Sequence, residues 1–300
     1  VPPALYFVLF LGLTGVIVYR GIQNGIEKAC KIMMPALFVL LLILMARSLT
    51  LPNALDGVKF FFKPDFSKIT GETFLQALGQ AFFSLSVGMG IYITFGSYAN
   101  TEAKVFKTMW PVPTLDTLVS LLTGLTIFPA VFAFGISMNA GPSLVFITFP
   151  KIFASIPFGA FFSLVFFALL LMAALTSSMS LMEVVVTFLC DQWKMTRKKA
   201  VISYSLLSLV GGVLVSLSFG VLSGFKIGGK ILFDQFDFLA SNILLPTGGF
   251  LICIATGWVL GVDKLNVFHS KAAETAFAFS VRYITPIAVA AVLLNVIGLI

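Results

Sequence analysis

Charge is what this chain has least of. Only 10% of its 300 residues are Asp, Glu, Lys or Arg, against about 25% in an ordinary soluble domain. That shortage argues against a solvated surface wrapped around a water-soluble core. Histidine occurs once, at His269 in a loop. Cysteine occurs three times, at Cys30, Cys190 and Cys253, with unrelated spacings in or beside apolar runs. Neither a zinc pattern nor a disulfide framework fits those spacings. An intramembrane hydrolase would need a paired nucleophile and base or a metal cluster, and no Cys–His or HExxH arrangement is present. A channel is disfavoured too, because no repeated carbonyl-rich filter loop is visible. Acidic residues are fewer than basic ones, 12 against 19, for a net charge of +7. The basic residues lie scattered between apolar runs, which is how membrane loops look, so the excess does not point to nucleic acid.

What the chain has in abundance is apolar length. Hydrophobic residues make up 59% of it, and its mean hydropathy is +1.07. Eight apolar runs span 3–19, 33–49, 75–98, 109–135, 157–190, 199–222, 231–261 and 276–300. A bilayer-crossing helix takes roughly 20 residues. None of the runs shows the alternation of a barrel strand, so helices must satisfy the backbone in lipid. The reading is an all-α, multi-pass protein of the cell membrane with eight transmembrane helices. The fifth run exceeds the bilayer thickness and should tilt or project. Alternate loops carry 12 and 7 basic residues, so the set holding Arg20, Lys104, Lys107, Lys194, Arg197, Lys198, Lys264 and Arg282 is cytoplasmic. Val1 and Ile300 then both lie outside. Without a signal-peptide pattern, that start suggests helices upstream. Residues 50–74 read as an external turn. Residues 136–156 read as a semi-apolar loop, re-entrant or packed over the external face.

Polar groups inside spans are costly in lipid and are functional candidates. In the third run, Ser84-Leu-Ser86-Val-Gly88-Met-Gly90 interrupts a helical pattern near mid-membrane. Two readings are balanced there. The helix unwinds to line a cavity, or the small residues permit a close helix crossing. In the fifth run, Thr176, Ser180, Glu183, Thr187 and Asp191 follow at steps of four, three, four and four, on one helix face. The stripe resembles a water or ion path, and Thr176-Ser177-Ser178 offer oxygens to a hard cation. Hydroxyls bonded back to their own helix would explain Thr176 and Ser180. They would not explain Glu183, whose carboxylate needs a partner, a proton or water. Asp116 lies about one and a half turns in from Pro111, as a site residue or a structural cap. Asp234 and Asp237 start the seventh run and suit a helix N-terminus.

Seven stretches together resemble the bacterial branch of the neurotransmitter:sodium symporter family. They are RGIQNGIEKACKIMMPALF (20–38), GQAFFSLSVGMGIYITFGSY (79–98), LDTLVSLLTGLTIFPAVFAFG (115–135), AGPSLVFITFP (140–150), LTSSMSLMEV (175–184), FDFLAS (236–241) and VRYITP (281–286). The resemblance implies the leucine-transporter-type inverted-repeat fold. The eight helices correspond to family helices four to eleven, within one N-terminally truncated transporter domain over 1–300. Helix one, with half of the ligands, would be missing, so this stretch alone should not transport.

Residue by residue, the resemblance implies a first sodium at Ser84 and Asp116. It implies a second at Thr176, Ser177 and the carbonyl of Ala173. Substrate would meet Ser84, Ser86, Gly90 and the aromatic lid Phe83, with Met89, Leu181 and Ser177 around its side chain. Gln80 and Asp237 match the external gate, and Tyr98 and Asp191 the internal one. Gly25 and Pro35 match a helix-five motif linked to sodium release. The function implied is sodium-coupled symport of a small, hydrophobic or aromatic amino acid by alternating access, independent of chloride because Asp116 supplies a fixed negative charge. The partners are the amino acid, Na⁺ and the bilayer, with the oligomeric state open. The alternative is the same scaffold carrying another organic solute or coupled to protons.

Overall fold

The computed structural model describes residues 3–99, 109–135, 145–146, 149–262 and 270–296. Eleven helices are named here in chain order: α1 (Pro3–Tyr19), α2 (Lys28–Leu49), α3 (Ala54–Phe62), α4 (Gly71–Ser84), α5 (Ile91–Ser97), α6 (Pro111–Ala133), α7 (Phe149–Ala154), α8 (Gly159–Gln192), α9 (Arg197–Leu217), α10 (Leu232–Leu260) and α11 (Lys271–Val296). A hairpin of β1 (Lys226–Ile227) and β2 (Lys230–Ile231) precedes α10. Six helices among the described residues are long and apolar enough to cross a membrane. Of the eight runs, the first forms a 17-residue helix and the third is split between α4 and α5.

Boundaries moved where local chemistry overrode hydropathy. A π-helical turn, Ile22–Glu27, precedes α2, so helix begins eleven residues before the apolar run does. The external stretch 50–74 is more than a turn, because it folds α3. α4 starts at Gly71 because Thr70 and Thr73 form a reciprocal capping box. Of the loop 136–156, residues 136–144 and 147–148 lie outside the described set, and Phe149–Ala154 is helical. His269, Lys104, Lys107 and Lys264 also lie outside it. α8 is 34 residues long, or about 51 Å at 1.5 Å per residue.

Two compact units share the chain. One comprises residues 1–19, 69–113 and 180–300, the other 20–68 and 114–179. In the first, α1 packs on α9, with Gly15 against Val201 and Ser205 and the Phe7 ring over Gly212. These small residues let helix backbones approach closely in lipid. α10 packs on α11 and α4 around the buried Phe82, Leu245 and Val289. In the second unit, Leu44 and Leu51 of α2 meet Ala130 of α6, Phe149, Ile152 and Phe153 of α7, and Val165 and Phe166 of α8. The rings of Phe149 and Phe166 stack at 4.9 Å. Buried Ser48 donates to the carbonyl of Thr126 at 2.6 Å. α7 therefore belongs to the core of its unit, which explains why its sequence is too apolar for a solvated loop. Many large apolar side chains face outward, as the lipid solvent requires.

Candidate functional site

The third run breaks where its sequence weakens. α4 ends at Ser84, and the chain turns through Leu85–Gly90 before α5 begins. Ser86 N–H donates to the Phe83 carbonyl and Val87 N–H to the Phe82 carbonyl, both at 3.0 Å. That pair of bonds is a Schellman closure, with Ser86 in the left-handed position at φ 54° that glycine usually fills. Gly88 follows at φ 95° and Gly90, capping α5, at φ 77°. A Cβ on Gly88 would collide with the Leu245 carbonyl oxygen, and one on Gly248 with the Gly88 carbonyl oxygen. The unwinding and the close crossing, alternatives in the sequence, are therefore the same feature. The break is pressed against the small residues of α10, and Val87 and Met89 pack on the Phe82–Leu245–Val289 core.

One face of α4, the start of α10 and the end of α11 line a cavity of about 360 Å³. Gln80, Phe83 and Asp237 line it, with Ser241, Asn242 and Asn295. Ser241 donates to Asp237 at 3.3 Å. The structure thus brings together both residues assigned to the external gate and the aromatic lid. Asp234 lies in the first turn of α10, where a negative charge suits the helix dipole.

The polar stripe on α8 divides into two kinds of site. Thr176 donates to the carbonyl of Ala173 at 2.9 Å, and Ser178 to that of Leu175 at 3.1 Å. Two of the oxygens assigned to the second sodium are thus adjacent, held by a bond to their own helix. Ser177 and Leu181 are exposed on the same helix, Asp116 is half-buried on α6, and Ser84 is exposed at the end of α4. Gly25 is buried in the π-helical turn before α2, and Pro35 lies within α2 itself.

Glu183 is wholly buried. Arg197 grips both of its oxygens, Nη1 on Oε1 at 3.1 Å and Nη2 on Oε2. The same guanidinium donates to the Val18 carbonyl at 2.9 and 2.6 Å, and Thr187 donates to Glu183 at 3.2 Å. The Tyr98 hydroxyl lies 3.5 Å from Glu183 and 3.1 Å from Thr187. This part of the stripe is an occupied ion pair tying α1, α5, α8 and α9, not an open path for ions. Tyr98 sits on this pair, and Asp191 is exposed on the last turn of α8. Sequence reasoning placed Glu183 but missed Arg197, which it counted as a loop charge. The available signal was three cations, Arg197, Lys198 and Lys199, in the first turn of a helix, where the dipole opposes them.

Known proteins share this organisation. The profile of the sodium:neurotransmitter symporter family matches residues 3–299. An uncharacterized sodium-dependent transporter of Bacillus subtilis is 39% identical over 97% of this chain, and one of Haemophilus influenzae is 38% identical over 93%. The chain spans 66% and 61% of the length of those two relatives. The crystal structure of MhsT in complex with L-phenylalanine superposes with a TM-score of 0.89 at 40% identity, covering 98% of this chain and 68% of that one. The leucine-transporter-type fold is thereby established, as is a multi-pass place in the cell membrane. The family is one of symporters, not enzymes, with Na⁺ as its coupling ion, and both of these relatives are named as sodium-dependent transporters. The chain belongs to the sodium:neurotransmitter symporter family.

Proposed function

We propose that the protein carrying this chain is a sodium-coupled symporter of a small hydrophobic or aromatic amino acid, working by alternating access. The observation that carries this reading is the helix broken at Leu85–Gly90. In lipid, non-helical backbone is tolerated only where protein buries it or a cavity needs it. Phe83, Ser84, Ser86, Met89, Gly90, Ser177 and Leu181 are the residues proposed to meet substrate. Their apolar members, with the polarizable thioether of Met89, favour an apolar side chain. The similarity to MhsT, solved with L-phenylalanine, supports the same class. For sodium, the proposed ligands are Ser84 and Asp116 at the first ion, and Ala173, Thr176 and Ser177 at the second. Gln80 and Asp237 act outside and Tyr98 and Asp191 inside, within one transporter domain.

Asp116 gives the reading its sharpest edge. A fixed carboxylate beside a sodium ion does the charge-balancing work of a bound anion, so transport is independent of chloride. The test is uptake of labelled amino acids by the protein of the whole reading frame in proteoliposomes. Uptake should vanish when choline replaces sodium and persist when gluconate replaces chloride, and phenylalanine or leucine should compete best. Uptake that survives without sodium overturns the symport reading. Loss in gluconate overturns only the role of Asp116, and best competition by glutamate or lysine only the substrate class.

A further inference from the structure

The groove between α1 and α9 lies outside the proposed transport path. It holds about 520 Å³, and residues 8–19 of α1 and 198–209 of α9 line it with almost wholly apolar surface. Gly12 leaves a gap in its wall, since a Cβ built there meets nothing within 4 Å. Eleven helical steps from Val8 to Tyr19 cover about 16 Å. That is half of the ~30 Å hydrocarbon core, the depth of one leaflet. Tyr19 and Lys198 stand together at one mouth of the groove. The bias of basic residues between loops places that mouth at the cytoplasmic side.

The charge at this mouth lacks a counterpart. Glu183 neutralises Arg197. Lys198 is exposed, and among the described residues no salt bridge reaches it. It also sits in the first turn of α9, where the helix dipole disfavours a cation. A leaflet-deep apolar trough beneath an uncompensated cation and a tyrosine has the chemistry of an amphipathic anion. A helix is about 10 Å across. An acyl chain is far thinner.

We propose that this groove holds one anionic phospholipid of the cytoplasmic leaflet, with its phosphate at Lys198 and Tyr19 and an acyl chain along Gly12 and Leu206. Native mass spectrometry of the whole protein in mild detergent, titrated with phosphatidylglycerol or phosphatidylcholine, tests this. One phosphatidylglycerol should be retained, at least about fivefold more tightly than phosphatidylcholine. Gly12→Leu fills the gap and should abolish retention without lowering the unfolding temperature. Lys198→Gln should keep a lipid bound but cut the preference about fivefold, the worth of one lysine at an anionic surface. Should Gly12→Leu unfold the protein, Leu206→Trp fills the same groove from α9 and must also remove the lipid. Equal retention of the two lipids overturns the proposal. So does retention undiminished in both filled variants, or a crosslink from Lys198 to another segment of the same protein.

Discussion

Removing the Arg197 side chain should be strongly destabilising. Glu183 is 0% exposed and Arg197 28%. Losing the cation leaves a buried carboxylate with the Thr187 and Tyr98 hydroxyls but no counter-charge, while losing the carboxylate leaves a guanidinium that still reaches solvent and the Val18 carbonyl. Breaking a buried ion pair from one side costs about 3–5 kcal/mol. Arg197→Met should reach that range, and Glu183→Gln should cost about 1–2 kcal/mol, the scale of one imperfect buried hydrogen bond. At ~2 cal/mol/K of unfolding entropy per residue, a loss of that size lowers the unfolding temperature by several degrees. The assay is thermal unfolding of both single variants and the double variant in one detergent. The double should be no worse than Arg197→Met alone, because the stranded charge has gone. If Glu183→Gln proves costlier than Arg197→Met, or the two losses simply add, the ion pair does not hold these helices together and the reasoning fails.

Gly88→Ala should unfold the break or abolish binding of labelled substrate, since the added methyl meets the Leu245 carbonyl and φ is 95°; normal binding would mean the close crossing is not needed. Thr176→Val removes a hydroxyl held by the Ala173 carbonyl. The sodium concentration for half-maximal uptake should rise about tenfold, the worth of a ~1.5 kcal/mol polar contact to a charge. An unchanged sodium curve would confine Thr176 to a structural role. Ser48→Ala removes a buried hydrogen bond of 2.6 Å to the Thr126 carbonyl. It should cost about 1–3 kcal/mol of stability without touching sodium dependence, and a shifted sodium curve would contradict that division.

The class and the span positions were legible because hydropathy in lipid is nearly one-dimensional: long apolar runs leave the chain few choices. The break at 84–90 was legible as a weak point, because serines and two glycines lower the cost of leaving the helix. Its partner was not. Gly248 and Gly249 lie 160 residues away, and nothing local says that two glycine-bearing backbones meet. The same limit hid Arg197. Its sequence neighbourhood reads as a cytoplasmic loop, and only the fold carries it inward to Glu183. Hydroxyls on α8 showed the opposite ambiguity. Thr176 and Ser178 satisfy themselves on their own helix, and that satisfaction neither requires nor excludes a cation. Back-bonding is local and cheap, so spacing alone cannot separate a ligand from a contented side chain.

Ser86 offers a way to separate stability from function. It closes α4 at φ 54°, a conformation that costs a residue with a Cβ about 1–2 kcal/mol and glycine almost nothing. A sequence selected for stability alone would place glycine there, as it does two residues later at Gly88. Ser86→Gly should therefore stabilise the protein by about 1 kcal/mol, less the entropy of a freer unfolded chain. If the hydroxyl serves the substrate, uptake must fall as stability rises, in the trade-off expected of strained functional positions. Unfolding temperature and uptake of one labelled amino acid, measured on the same preparation, decide it. A variant that gains stability and keeps full uptake would show that the strain at Ser86 serves no ligand, and the substrate role proposed for its side chain would fall with it.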